Sequence, residues 1–290
     1  MTAIAETALF RAVGARTRRI RHSGWLNPQI LVAGAVLAAW LFVVVAAPWI
    51  APFDPLAETG ARLSAPSAQH LLGTDSLGRD VFSRTLYGAR ESLPIAVAAI
   101  GASLIIGCLL GAIAGFFGGV VDATIMRVAD ITMAFPAILL AMAVAAALGP
   151  GLTNALLAIV AVWWPIYARL TRGQVMSIKE REHVEASKAI GSSRWRTLFR
   201  HILPHSVTPI MVNATMDLGQ IVLLVASLSF LGLGALPPSP EWGAMITEGA
   251  KNFYQPWIAA APGIAMVSVT LAMNFLGDGL RDVFDVRARR

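Results

Sequence analysis

Charge is scarce in this chain. Of 290 residues only 14% are Asp, Glu, Lys or Arg, while 56% are hydrophobic. A water-soluble domain carries roughly a quarter charged residues. A soluble protein is therefore excluded, and much of the apolar excess must face something other than water. Cysteine is nearly missing: Cys108 stands alone in an apolar run, so no internal disulfide can form and no thiol-based metal site is expected. There is no Gly-x-x-x-x-Gly-Lys-Ser/Thr phosphate loop, no Gly-x-Ser-x-Gly elbow and no His-Glu-x-x-His zinc motif. His201 and His205 are four apart, but Pro204 between them spoils a shared helical face and a metal site. No catalytic, cofactor or metal residue is expected in this chain.

What is abundant is long apolar sequence. A bilayer core needs about 20 apolar residues in a helix. Six stretches qualify: Ile30–Ala51, Ser92–Gly119, Ile131–Gly149, Leu152–Ala168, Val207–Gly232 and Trp257–Gly277. The third follows a polar break at Asp122, Arg127 and Asp130, and the fifth contains one acid, Asp217. The polar lead before the first span is long, so that span is read as an uncleaved anchor. The expected organisation is an arm over 1–29, a first helix and outer segment over 30–91, a five-helix core over 92–277 and a tail over 278–290. A loop over 169–206 interrupts the core.

Basic residues orient the spans. The net charge is +6 and the pI about 10.2. An even number of spans puts both termini on one side, and 18 of the 23 Lys and Arg residues fall there, against 5 opposite. Excess Lys and Arg marks the cytoplasmic side, so both termini are expected inside, in a multi-pass cell (inner) membrane protein. Trp25, Trp49, Trp163, Trp164 and Trp257 lie near span ends, as interface anchors or as simple packing. The outer stretch 52–90 is too long for a passive turn and is expected to pack on something.

The inner stretch 169–206 carries more information. Lys179–Ile190 is dense in good helix formers. Gly191 suits a C-terminal cap, and Ser192 or Ser193 an N-cap. Trp195, Leu198, Phe199 and Ile202 then recur at helical spacing as one apolar stripe. Pro204 marks an end or kink. A basic helix-turn-helix could bind DNA, but its place between two membrane spans argues against that, and no nucleic-acid partner is expected. Basic residues touching anionic lipid are a second reading. It accounts for the arginines but not for the spacing of the other residues.

That spacing, Glu185-Ala186-Ser187, then Gly191, then Ile202-Leu203-Pro204, resembles the EAA loop of ATP-binding-cassette importer permeases. Ser187 replaces the third motif residue, and His201 the usual isoleucine. The stretch His70-Leu-Leu-Gly-Thr-Asp-Ser-Leu-Gly-Arg-Asp-Val-Phe-Ser-Arg84 is similar to the signature before the second span of peptide and nickel permeases. Ser227-Leu-Ser-Phe-Leu-Gly-Leu-Gly234, Pro237-Pro238, Trp242-Gly243 and Leu276-Gly-Asp-Gly-Leu-Arg-Asp282 fit the same pattern. The resemblance runs from about residue 30 to 285 and is to the C-type subunit of oligopeptide and dipeptide importers. Val225 departs from it where relatives often carry a glutamate, and Val286 where a proline often stands.

The resemblance implies an all-α, polytopic type I ABC importer permease fold with six transmembrane helices, and half of a translocation pathway. It implies a second, related permease subunit, two ATPase subunits or domains that bind ATP and Mg, an extracytoplasmic substrate-binding protein and a lipid bilayer as partners. Glu185, Ala186, Ser187, Gly191, Leu203 and Pro204 would form the ATPase-coupling element, with Glu185 against a basic group. A plain i,i+3 pair of Glu185 with Lys188 is the alternative. Asp217 is the candidate pathway residue, or else a structural hydrogen bond to a neighbouring helix. Short peptides are the expected substrate. A nickel chelate or other small solute is the alternative, and a stand-alone secondary transporter is a further reading.

Overall fold

A computed structural model describes residues 28–288, which leaves out Trp25 and all but the last two residues of the expected arm. Among the described residues the chain is helical, and the one bridge, Thr74 with Asp80, is isolated. The helices are α1 (Pro28–Ile50), α2 (Val81–Phe117), α3 (Gly119–Met133), α4 (Ala137–Leu148), α5 (Leu152–Lys179), α6 (Glu182–Ala189), α7 (Leu203–Phe230), α8 (Trp242–Lys251) and α9 (Trp257–Ala288). A turn, Arg194–Arg196, and a π-helical turn, Thr197–Ile202, lead directly into α7.

Five of these helices are long and apolar enough to cross a bilayer: α1, α2, α5, α7 with its π turn, and α9. Leu41, Phe42, Val45, Ile105 and Ile264 on them are exposed, and such a belt is stable only against hydrocarbon or another apolar surface. A sixth crossing exists only if α3 and α4 count together, and they meet at a 92° bend. The expected straight span Ile131–Gly149 is therefore corrected. Residues 131–133 finish α3, and α4 alone, with 12 residues, is about 18 Å long, short of a hydrocarbon core of about 30 Å. Pro136 is the cause. It has no N–H to continue the ladder of α3, and its ring disfavours helical backbone at the residue before it.

The polar break before that span is also not a break. Asp122 and Asp130 lie in α3 and pair with α5. Arg172 grips Asp122 with two nitrogens, at 2.5 and 2.7 Å, and Arg169 donates to Asp130 at 2.6 Å. The tightest packing is between α2 and α5, and Gly107, Gly111 and Gly115 make it possible. A Cβ at Gly107 would sit 2.5 Å from the Trp164 carbonyl oxygen, and one at Gly115 2.8 Å from that of Arg172. Small residues at four-residue spacing let two membrane helices approach backbone to backbone. Ala96, Ala99, Ile159, Tyr167, Ile221 and Leu228 fill the centre where α2, α5 and α7 meet.

At the end of the bundle away from α6, the segment 52–80 packs on α8 and α9. Asp75 accepts from the backbone N–H groups of Leu77 and Arg79 and from Arg79 Nε at 2.6 Å. Arg79 Nη2 reaches Glu248 on α8 at 3.1 Å. Arg84 Nη1 lies 3.2 Å from Asp75 as an ion pair without hydrogen-bond alignment. His70 Nδ1 is 2.9 Å from Asp80, which caps α2 by accepting from Ser83 N–H. Trp257 donates to the Thr74 carbonyl at 3.2 Å. Trp49 is 79% exposed, whereas Trp163 is 7% exposed and packs inside the bundle.

Candidate functional site

Two places bring the candidate residues together. The first is the segment 180–206 beyond the end of α5. Hydropathy suggested that the fourth span ends near Ala168, but its helix continues to Lys179. Lys179 donates to the Phe116 carbonyl at 2.7 Å and fastens that end to α2. The chain then breaks at Glu180 and Arg181, so the expected helix Lys179–Ile190 is corrected to Glu182–Ala189. The Arg181 carbonyl accepts from the N–H groups of Val184 and Glu185 at 2.9 and 3.2 Å, which starts α6.

A buried valine anchors α6. Val184 is fully buried among Phe116, Val175, Ile178, Leu198 and Ile202, with Leu203 packed on the same cluster. Glu185 and Ala186 are exposed, and a cavity of about 250 Å³ beside Glu185 is lined by Asp122, Lys179 and Glu180. Ser187 is buried, and among the described residues its hydroxyl has no hydrogen-bond partner. Gly191 has φ +84°, and the N–H of Ser192 reaches back to the Ser187 carbonyl at 3.1 Å. That is the six-to-one bond of a Schellman cap, with glycine at the left-handed position. Ser193 then caps the next turn, its hydroxyl accepting from Arg196 N–H at 3.3 Å.

The expected stripe of four apolar residues divides. Leu198 and Ile202 are buried, while Trp195 and Phe199 are more than half exposed and stacked, with ring centroids 5.9 Å apart. Phe117 meets Trp195 edge-on at 5.8 Å. Pro204 does not end the helix. The N–H of Leu203 bonds the Leu198 carbonyl, five residues back. This widened turn accommodates a proline ring that would clash with a carbonyl in a regular α-helix.

The second place is Asp217, midway along α7. Its Oδ2 accepts from Tyr167 Oη at 2.7 Å and from Trp163 Nε1 at 3.4 Å, both on α5. Tyr167 is fully buried and Asp217 half-buried. Asp217 lies 13 residues after Pro204, about 20 Å along the helix, so the two places are separate.

Sequence reasoning missed the groups that hold α8. Glu241 is fully buried, accepts from Ala244 N–H at 2.9 Å and from the Ser92 hydroxyl at 3.1 Å, and caps α8. Burial pushes its carboxyl above the ordinary carboxylate value, against the N–H bonds that favour ionisation. Trp242 donates to the Thr85 carbonyl at 2.9 Å. The Asp75–Arg79 spacing inside the signature stretch was the available signal for the ion cluster, but its partner Glu248 is 169 residues from Arg79.

Glycine-packed apolar helices, a broken crossing and an anchored polar segment between two spans define a polytopic membrane protein. Residues 107–290 match the family described as binding-protein-dependent transport system inner membrane component. The chain is 43% identical over 265 residues to a probable D,D-dipeptide transport system permease protein of Escherichia coli, covering 90% of this chain and 89% of that one. It is 44% identical over 267 residues to a dipeptide transport system permease protein of Alkalihalophilus pseudofirmus, covering 91% and 87%. It is 40% identical over 269 residues to a glutathione transport system permease protein of Pectobacterium atrosepticum, covering 91% and 89%. Inward-facing structures of the MetNI methionine ABC transporter share the fold, with a TM-score of 0.57, 20% identity, and coverage of 71% of this chain and 97% of that one. The chain belongs to the binding-protein-dependent transport inner-membrane components. It is a non-catalytic permease subunit of an ATP-binding-cassette importer.

Proposed function

We propose that this subunit forms half of the pathway of an importer for short peptides. The observation that carries the substrate is the 40–44% identity, over nine-tenths of the chain, to relatives named for dipeptides and glutathione. Its partners are a second, related permease, two ATPase subunits that hold ATP and Mg, and an extracytoplasmic binding protein. Both termini and the 180–206 segment face the cytoplasm, in keeping with the distribution of Lys and Arg. The arm over 1–29 and the tail over 278–290 flank the membrane domain on that side.

Glu185, Ala186, Ser187, Gly191, Leu203 and Pro204 make the ATPase-coupling element. Val184, Leu198, Ile202 and Leu203 root it in the bundle, so that the exposed Glu185 face is held in one orientation. Asp217 borders the pathway as well as bracing α7 against α5. The test is the reconstituted complex with its binding protein. Di- or tripeptides should stimulate ATP hydrolysis and enter the vesicles. Stimulation by a nickel chelate and by no di- to oligopeptide would overturn the substrate assignment. Uptake by the purified chain alone would overturn the subunit assignment.

A further inference from the structure

At the α6 end of the bundle, α5, α7 and α9 enclose a pocket of about 480 Å³. We infer that this pocket binds the phosphate headgroup of an anionic phospholipid. Its rim carries Arg181, Arg281 and Gln174, and its α7 wall descends through His205, Thr208, Val212 and Asn213 to Met216. Among the described residues, no acidic side chain lines it. Arg169 and Arg172, just before Gln174 on α5, are neutralised by Asp130 and Asp122. Arg181 and Arg281 are paired with no carboxylate among the described residues. Two unpaired guanidinium groups on one concave rim form a natural receptor for a phosphate oxyanion.

Depth distinguishes a lipid from a soluble anion. Counted from the far end of each helix, Arg281 is 24 residues from Trp257 and Gln174 is 22 residues from Leu152, about 36 and 33 Å along the axis. A hydrocarbon core is about 30 Å thick, and about 40–45 Å with its headgroups. The rim therefore lies in the headgroup layer. Met216 is 14 residues from Phe230, about 21 Å along α7 and within the hydrocarbon layer. A pocket with a cationic rim at headgroup depth, whose wall carries Pro209, Val212 and Met216 down into the hydrocarbon layer beside the polar Thr208 and Asn213, fits an amphiphile. Basic pockets between membrane helices hold anionic lipid headgroups in this way. The consequence concerns α6, because the Arg181 backbone starts that helix. A lipid gripped by Arg181 and Arg281 ties the start of α6 to α9.

The inference depends on the membrane placement of the chain and not on the identity of its substrate. The test uses the assembled importer in nanodiscs of phosphatidylcholine mixed with phosphatidylglycerol. The lipid retained after detergent exchange is counted by mass spectrometry. Wild type should retain phosphatidylglycerol, and the Arg181→Gln, Arg281→Gln double variant should retain about thirtyfold less, since each basic residue at an anionic surface contributes about fivefold. Arg281→Gln alone should lose about fivefold, Arg281→Lys should keep most of the binding, and Arg127→Gln should change nothing. These single variants carry the test if the double variant does not assemble. Retention unchanged in Arg281→Gln would overturn the proposal. So would complete displacement of phosphatidylglycerol by inorganic phosphate, because the pocket would then be a site for the free anion.

Discussion

Asp217 offers the sharpest test, because its two donors differ so much in geometry. The Tyr167 hydroxyl is 2.7 Å away and the Trp163 N–H 3.4 Å, beyond the usual range of about 2.7–3.2 Å for N–H donors. Asp217→Ala leaves the fully buried Tyr167 hydroxyl without its acceptor, at a cost of about 1–3 kcal/mol. In membrane proteins, cycles across such bonds give about 0.6 kcal/mol on average and about 1.7 at most. A cycle of Asp217→Ala with Tyr167→Phe, read by reversible unfolding in mixed micelles, should therefore show coupling in that range, about threefold to eighteenfold in the folding constant. The same cycle with Trp163→Phe should give less. Equal coupling for both, or none with Tyr167, would refute the reasoning from distance. Asp217→Asn then separates structure from transport. An amide oxygen can still accept from Tyr167, so stability should hold, while the charge is gone. Unchanged peptide uptake by that variant would remove Asp217 from the pathway and leave it as a brace.

Glu185→Lys should abolish uptake in a folded, inserted subunit, since Glu185 is exposed and like charges across an interface cost several kcal/mol; wild-type uptake would show that the contact is unimportant. Gly191→Ala should destabilise the cap by about 1–2 kcal/mol through backbone strain alone, because no atom of the described residues lies within 4 Å of the added methyl. Faster amide exchange confined to residues 182–190 is the readout. Glu248→Ala removes a carboxylate from Arg79 and Arg84 and should cost about 3–5 kcal/mol, measured as a lower midpoint in thermal unfolding. The raised carboxyl of Glu241 gives a pH signature. The folded chain holds this proton more tightly than the unfolded chain. Its contribution is therefore full below the ordinary 4.5 and is lost as pH rises through the folded value. Glu241→Gln should flatten that part of the stability–pH curve, and an unchanged slope would contradict the assignment.

Hydropathy read well where a helix is apolar throughout, as in α1, where mean hydropathy is highest. It read less well where a polar helix continues an apolar one. Ala168 is where the apolar run ends, but hydrogen bonding carries α5 to Lys179, because Arg169 and Arg172 find carboxylates on α3. Pro136 was visible inside the expected third span, yet composition averages over a proline, whereas the backbone cannot. The Gly191 cap was legible because its cause is local: a left-handed residue needs glycine. The π turn was not, because a proline at that position fits either a kink or a widened turn. Glu241, Ser92 and Glu248 stayed hidden for a different reason. Each is bonded to a partner about 150 residues or more away in sequence, a distance over which no spacing rule operates.

From Arg194 to Phe230 the backbone is helical without interruption, through the widened turn and past Pro204. A continuous helix of that kind carries a tilt at one end toward the other. Trp195 and Asp217 are 22 residues apart, about 33 Å along one axis, so a tilt of 5° pivoting near Asp217 moves the tryptophan by about 3 Å by lever-arm geometry over that length. The soft point along the rod is the π turn, where each hydrogen bond spans one residue more than in the rest of the helix. It lies below the level of Asp217 and next to the cluster around Val184. Stiffening that turn, or loosening it, would change how much of a push at Trp195 arrives at Asp217 without altering a single residue that touches either end.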